Sequence, residues 1–288
     1  MLLQIKQCMI TTSEIAPSPA LAPFVQSYAF REFETGGVEI VMPWRASSQS
    51  NIIFFFKDVP VKLTSTATGQ VLKRGKSCDM VGMSTQYNGD MFFNGSYAFF
   101  QILFRPHGFY TLFNSSPVDI VEKIVWSGDV FNSEIHLLHE QLYEAKSVLE
   151  MVGRTNTWLL RHLNKNKRSD YKNCITITSN LITENRGLIN LGRLANDACM
   201  SMRNFERVFL NETGMTPKQL CCISRFNHAL ELKLNHPNLK WTSIAQEAAY
   251  FDQMHLVKDF KRFCGEAPAS LLKHVPMLEE KYISRVNH

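Results

Sequence analysis

Hydrophobic positions change their spacing partway along the chain. Up to about residue 125 they fall in short runs. Asn51 to Val61 (NIIFFFKDVPV) sets β-branched and aromatic residues around a polar Lys57-Asp58 break, which predicts two strands joined by a turn. Ala98 to Phe104 places Phe100, Ile102 and Phe104 against Phe99, Gln101 and Leu103. Such a strand is apolar on both faces and therefore belongs in the middle of a sheet. Gly36-Gly37, Asn88-Gly89 and Asn94-Gly95 punctuate the region as turns, and short strands so separated predict a small barrel or sandwich.

Beyond this region the period becomes helical. Ser116-Pro117 reads as a cap followed by proline at the first helical position, opening a helix over PVDIVEKIV. Ile135, Leu138, Leu142 and Leu149 keep spacings that put them on one helical stripe, and Trp158, Leu159, Leu160 and Leu163 belong to a second helix. The stripe can pair two subunits or pack on its own barrel. Asn164 to Asn173 (NKNKRSDYKN) has no aliphatic residue and reads as a linker. The expected division is a β domain over 1–125, a helical connector over 126–163, a linker over 164–173 and an all-helical domain over 174–275.

Within the last part, one arrangement occurs twice. Asn190 can cap a helix that turns Leu191, Leu194, Ala195 and Ala198 inward; Cys199-Met200 make a turn, and Ser201 caps the next helix. On that helix Phe205, Val208 and Phe209 cluster within about 100° of arc, leaving Arg203, Glu206, Arg207 and Leu210 on the opposite face. In the second copy Ile244, Ala245 and Ala248 precede a turn at Tyr250-Phe251, and Asp252 caps a helix with Leu256, Phe260 and Phe263 inward. Met254, Val257, Lys258 and Lys261 then face out, flanked by His255 and Arg262. Ser201 and Asp252 lie 51 residues apart, and between the copies Thr216-Pro217 opens a connecting helix striped by Leu220, Ile223, Asn227, Leu230 and Leu234. Helix, tight turn and second helix with a polar outer face form a helix-turn-helix. Two copies on a shared connector suit adjacent turns of a DNA major groove.

Charge and cysteine usage narrow the partners. From Lys172 onward there are 15 Lys and Arg against 11 Asp and Glu, whereas the first 171 residues hold 16 against 15, so most of the net +5 lies beside the duplicated motif. A basic half next to a neutral one points to a polyanion. Seven cysteines occur without a C-x-x-C pair, which predicts reduced thiols rather than a disulfide framework or structural zinc. Adjacent Cys221 and Cys222 diverge by about 100° on a helix and cannot easily bridge each other. With no apolar run of bilayer length and no secretory pattern at Met1 to Glu14, the expected location is the cytoplasm, with no membrane partner.

These motifs resemble the AraC/XylS family of bacterial transcription regulators over about Cys174 to Val275. The resemblance rests on Leu194-Ala195, Ser201, Phe205, Arg207, Phe209, Arg225, Ala229, Ile244-Ala245, Tyr250, Asp252-Gln253, His255 and Phe260-Lys261-Arg262. It extends to two G-x-x-P endings, Gly214 to Pro217 and Gly265 to Pro268. Two departures stand out: Cys199 and Ala249 occupy turn positions where the family often has glycine, and Leu256 replaces a frequent phenylalanine. The resemblance implies an α+β chain, with an N-terminal cupin-like β-barrel plus appended helices and a C-terminal pair of helix-turn-helix motifs. By family position Arg203, Glu206 and Arg207 enter one major groove, and Gln253, Met254, His255 and Lys258 the next. Ser201 caps the first reading helix at the DNA surface, and Lys218, Lys261 and Arg262 suit phosphates. Arginine matches guanine O6 and N7, glutamate accepts from cytosine N4, glutamine pairs with adenine, and Met254 or Val257 can meet a thymine methyl. Arg225, midway along the connecting helix, is expected to be a structural ion-pair partner.

The β region resembles, through Phe99 to Phe113 (FFQILFRPHGFYTLF) and Pro117, the cupin-like domains attached to such regulators, which bind a small effector or dimerise. Phe54, Phe56, Phe100 and Phe104 can line an apolar pocket or simply fill the core. A metal-dependent cupin enzyme needs a His-x-His pair and a following glutamate, a pattern missing here; His107 stands alone, and His136 and His139 read as an exposed helical pair. An alkyl-transfer repair protein needs a zinc-bound cysteine cluster, yet only Cys8 and Cys78 precede the linker. The expectation is therefore a non-enzymatic, sequence-specific DNA-binding regulator without metal or cofactor. Duplex DNA is its partner, and the resemblance admits RNA polymerase, a small effector and a second copy of the chain. The alternative is a cupin-type enzyme or effector-independent dimerisation protein carrying an accessory DNA module.

Overall fold

A computed structural model describes residues 11–58, 62–64, 71–73, 78–166 and 171–270. Ten strands come first: β1 (Thr11–Ile15), β2 (Val25–Glu34), β3 (Ile40–Pro43), β4 (Asn51–Phe55), β5 (Lys62–Thr64), β6 (Val71–Lys73), β7 (Cys78–Val81), β8 (Asp90–Phe93), β9 (Ser96–Phe104) and β10 (Ile124–Trp126). Short helices α1 (Gly108–Phe113), α2 (Ser127–Phe131) and α3 (Glu134–Tyr143) border β10, and α4 (Val148–Lys165) follows. The strands form two antiparallel sheets, ordered β1-β2-β9-β4-β7-β10 and β3-β8-β5-β6. The second strand expected within Asn51 to Val61 falls on residues 59–61, which lie outside the described ones; β5 begins at Lys62 and belongs to the smaller sheet.

Strand β9 is central, flanked by β2 and β4, and its two faces feed different cores. Phe100, Ile102 and Phe104 point into a large cluster with Phe54, Met80, Ile135, Leu138, Leu142 and Trp158, where α3 and α4 cover the sheet. Tyr97 and Phe99 point the other way, joining Phe33, Phe55 and Phe93 under the second sheet. Further along that second face the apolar filling stops. Arg31 hydrogen-bonds Gln101, its near cross-strand neighbour on β9, and Leu103 follows. Fully buried, each phenylalanine stabilises the fold by about 2–3 kcal/mol of transfer free energy. Phe54, Phe100 and Phe104 thus fill the core.

Three local expectations are corrected. PVDIVEKIV is not a helix: a single 3-10 turn covers Pro117–Ile120, capped by the Ser116 hydroxyl as expected, and Ile124–Trp126 then pairs with β7. The break is Glu122, held at φ 60 while its carboxylate accepts from the Ser84 hydroxyl and from the Thr85 N–H and hydroxyl at 2.6–2.7 Å. The stripe Ile135, Leu138, Leu142 is fully buried on its own β domain and does not reach Leu149, which lies on α4 and is 71% exposed. A chain reversal after Tyr143 interrupts the period. His139 is half-buried: its ring stacks on Phe54 and Phe56, and its Nε2 meets the Phe55 carbonyl at 3.0 Å.

Helices α5 (Tyr171–Glu184), α6 (Leu191–Asp197), α7 (Met202–Thr213), α8 (Pro217–Asn235), α9 (Trp241–Glu247) and α10 (Gln253–Cys264) complete the chain. Helix α4 runs to Lys165 and α5 opens at Tyr171, so helix occupies both ends of the stretch expected as a linker. The caps form as the sequence indicates. Asn190, Ser201 and Asp252 accept from the backbone N–H three residues on, and Thr216 with Gln219 makes a reciprocal capping box. Leu194, Ala195, Phe205, Phe209, Leu220, Ile223, Leu230, Leu256, Phe260 and Phe263 share one core. Asn227, expected on the inner stripe, is exposed.

Both turns carry a residue in the left-handed region, Cys199 at φ 54 and Ala249 at φ 51. A side chain with a Cβ costs about 1–2 kcal/mol there. Part of that is regained because glycine has the floppier unfolded chain. Both residues are exposed, so Cys199→Gly and Ala249→Gly should each raise stability by about 0.5–1 kcal/mol, read as a higher urea midpoint with unchanged slope.

Candidate nucleic-acid interface

The two helices that follow the turns present their polar faces to solvent. On α7, Ser201, Arg203, Glu206 and Arg207 are exposed, as are Gln253, Met254, His255 and Lys258 on α10 and the phosphate candidates Lys218, Lys261 and Arg262. Ser201 uses its hydroxyl on the Asn204 N–H, and Arg207 Nη2 donates to Asn204 Oδ1 at 2.9 Å, which holds the guanidinium along the helix surface. Asp252 accepts both the His255 N–H at 2.8 Å and a contact from its Nδ1 at 3.1 Å, and the backbone N–H holds the carboxyl below its ordinary range. Val257 is half-buried, so the outward face of α10 is narrower than its periodicity implies.

Behind these faces the spacing is set by α8, whose 19 residues span about 28 Å at 1.5 Å each. It packs against α5, α7, α9 and α10. Arg225 on α8 lies over the Tyr250 ring at 5.6 Å, with Asp259 against the same tyrosine. Burial raises the Asp259 carboxyl and the Tyr250 phenol, while the Arg225 charge opposes both shifts. Arg225 is thus half-buried over an aromatic ring, with the Asp259 carboxyl near enough to feel its charge.

The β domain grips both exposed helices at their C-terminal ends. His107, 1% exposed, contacts Thr176 Oγ1 on α5 at 2.7 Å through Nδ1 and Glu212 Oε2 on α7 at 2.8 Å through Nε2. Ser116 Oγ donates to the Asn211 carbonyl at 2.7 Å. On α10, the Arg262 and Phe263 carbonyls accept from the Tyr87 and Ala46 N–H groups at 2.9 and 2.8 Å. Gly214 and Gly265 close the two helices at φ 78 and 79, and a Cβ would come within 2.8 Å of Val121 at the first and of the Tyr87 ring at the second. Sequence reasoning treated His107 as solitary; besides Thr111 on its own helical turn, the partners that tie it to the other half lie 69 and 105 residues away.

Between the two halves lies a cleft of about 610 Å³. Its β side is the polar end of the β2/β9 face, with Arg31, Leu103 and Arg105; its helical side carries Arg186, Asn227 and His228. Arg186 Nη1 contacts His228 Nε2 at 3.1 Å, and burial together with the Arg186 charge lowers the imidazole's pKa. Among the described residues, no group of three or more His, Cys, Asp or Glu side chains could hold a metal ion, and no helix is long and apolar enough to cross a membrane.

Comparison with known proteins bears on both halves. A family model described as a helix-turn-helix domain matches residues 194–274, and one described as a domain of unknown function (DUF6597) matches residues 13–126. No curated protein matches the chain in sequence. Among solved structures, ToxT from Vibrio cholerae O395 is 10% identical over 94% of this chain and 99% of its own, with a TM-score of 0.47. A structure of ToxT bound to (E)-4-(8-methylnaphthalen-1-yl)but-3-enoic acid is 11% identical over 94% of this chain and 100% of its own, with a TM-score of 0.46.

His107→Ala should remove one tie from the β domain to each of α5 and α7 and leave Glu212 and Thr176 without their partner. A loss of about 2–4 kcal/mol in urea unfolding of the full chain is expected. The family match and the duplicated motif meet on the same helices: the chain carries, over residues 194–274, a helix-turn-helix domain, the kind of module that sets a helix into a DNA groove.

Proposed function

We propose that α7 and α10 read base edges in successive turns of one duplex, and that a small molecule held in the cleft between the halves governs how they do so. The carrying observation is the pair of capped, solvent-facing helices joined by a rigid α8. Arg203, Glu206 and Arg207 have the chemistry for guanine and cytosine edges in one groove. Gln253, Met254, His255 and Lys258 present a different set to the next. Lys218, Lys261 and Arg262 supply phosphate contacts, which position the protein without specifying sequence.

The effector reading is supported by the cleft's position. A ligand there would touch β2 and β9 on one side and α5 and α8 on the other, so it would bind one arrangement of the halves better than another. A ligand shifts an equilibrium only through such differential affinity. Around the cleft Arg31, Arg45, Arg105 and Arg186 stand against Glu14, Glu184 and Glu231, a small basic surplus that favours an anion. An assembly role through Ile135 and Leu142 is dropped, since both are fully buried within the protomer.

Binding by the full chain should fall steeply as salt rises from 50 to 200 mM, as counterion release requires. Arg207→Ala should relax one position of the selected site at a cost of about 1–3 kcal/mol, whereas Lys261→Ala should weaken all sequences alike. Unchanged motifs from site selection with Arg207→Ala would remove that residue from the reading set. For the effector, a panel of small carboxylates and phosphates should contain a member that raises the thermal midpoint saturably, and Arg186→Ala should abolish that rise. A panel without such a member would count against an anionic effector.

A further inference from the structure

The two copies of the motif are not in one register. Before the turns they correspond at an interval of 50 residues: Leu194 matches Ile244, and Met200 N–H bonds the Ala195 carbonyl as Tyr250 N–H bonds that of Ala245. After the turns the interval is 51, for the caps Ser201 and Asp252 and for the closing glycines Gly214 and Gly265. Met200 and Tyr250 are equivalent and both buried. The second copy therefore has one additional residue between that buried side chain and the cap, and it is Phe251.

Phe251 is 91% exposed, more than any other large apolar side chain among the described residues. A residue just before a cap ordinarily folds back on the fifth residue beyond it to form a hydrophobic staple. In the first copy Met200 occupies that place and is buried in one core with Phe205. In the second copy Leu256 is buried without help from Phe251. The ring instead meets His255 edge-on, 5.9 Å between centroids at 87°, at the N-terminal end of α10. Gln253 and Met254 lie beside it in sequence, and Met254 is 64% exposed. Exposed apolar atoms at this end of a reading helix have one partner in a major groove, the 5-methyl group of thymine. Lys258, Lys261 and Arg262, exposed along the same helix, favour a polyanion over an apolar protein surface.

We infer that Phe251 is a specificity-determining residue that reads a thymine methyl in the groove occupied by α10. This rests on the DNA-binding reading above. The test begins with site selection by the full wild-type chain from a randomised duplex library. Each thymine of the half-site read by α10 is then replaced in turn by deoxyuridine, which removes only the methyl. Wild type should lose about three- to fivefold in affinity at one thymine, the worth of one buried methyl. Phe251→Ser should bind the thymine and deoxyuridine duplexes equally, and Phe251→Leu should retain part of the difference. Thermal unfolding matching wild type confirms that both variants fold, as an exposed position leads one to expect. A methyl effect that persists in Phe251→Ser, or none at any thymine, overturns the inference while leaving DNA binding intact; Phe251 would then be a protein-docking residue. Failure of wild type to enrich any duplex overturns both readings together.

Discussion

Everything the two exposed helices can do depends on how their far ends are held. A helix that enters a groove by its N-terminal residues must be fixed from behind, and here the β domain supplies the fixings. Backbone N–H groups of Ala46 and Tyr87 hold α10, while His107 and Ser116 hold α7. His107 reaches the Glu212 carboxylate, while the Asn211, Arg262 and Phe263 carbonyls that accept from Ser116, Tyr87 and Ala46 are among those a helix leaves unsatisfied at its C-terminus. The β domain therefore completes the hydrogen bonding of the two exposed helices. The glycines that close both helices admit this approach, since any side chain there would collide with Val121 or Tyr87.

The cleft follows from the same architecture. Strand β9 alternates between two apolar clusters over its first part, and then its second face turns polar at Gln101 where Arg31 reaches across. That face lacks the phenylalanines that would close it, and α5 and α8 approach without filling it. The cleft is lined by residues of α5 and α8, and α8 packs in turn against α7 and α10, so the space borders the framework that carries both exposed helices.

Legibility in the sequence followed range. Helix caps at Asn190, Ser201, Thr216 and Asp252 bond within three residues, so residue type and spacing reveal them. The apolar alternation of β9 was equally plain because both its faces are buried. The misread segments were decided elsewhere in the chain. Ile124–Trp126 is a strand because β7 pairs with it and because Glu122 is pinned by Ser84 and Thr85, 38 and 37 residues away. Leu149 left the stripe because the chain reverses after Tyr143, a change of direction that periodicity does not register. His107 has local contacts at Tyr110 and Thr111, but its partners Thr176 and Glu212 come only from the closeness of the two halves.

The unlikeness of the two copies has an outcome at the level of the gene. Arg203, Glu206 and Arg207 on one helix and Gln253, Met254, His255 and Lys258 on the other are different side chains, offset by an additional residue in the second turn. A duplex lying across both meets no dyad, so its recognition sequence has a head and a tail. On the proposed reading by α7 and α10, one protomer would sit on DNA in a single orientation, with its β domain displaced toward the same side each time. A sequence of this kind works as an arrow: inverting it at a promoter would turn the regulator to face away from the start of transcription.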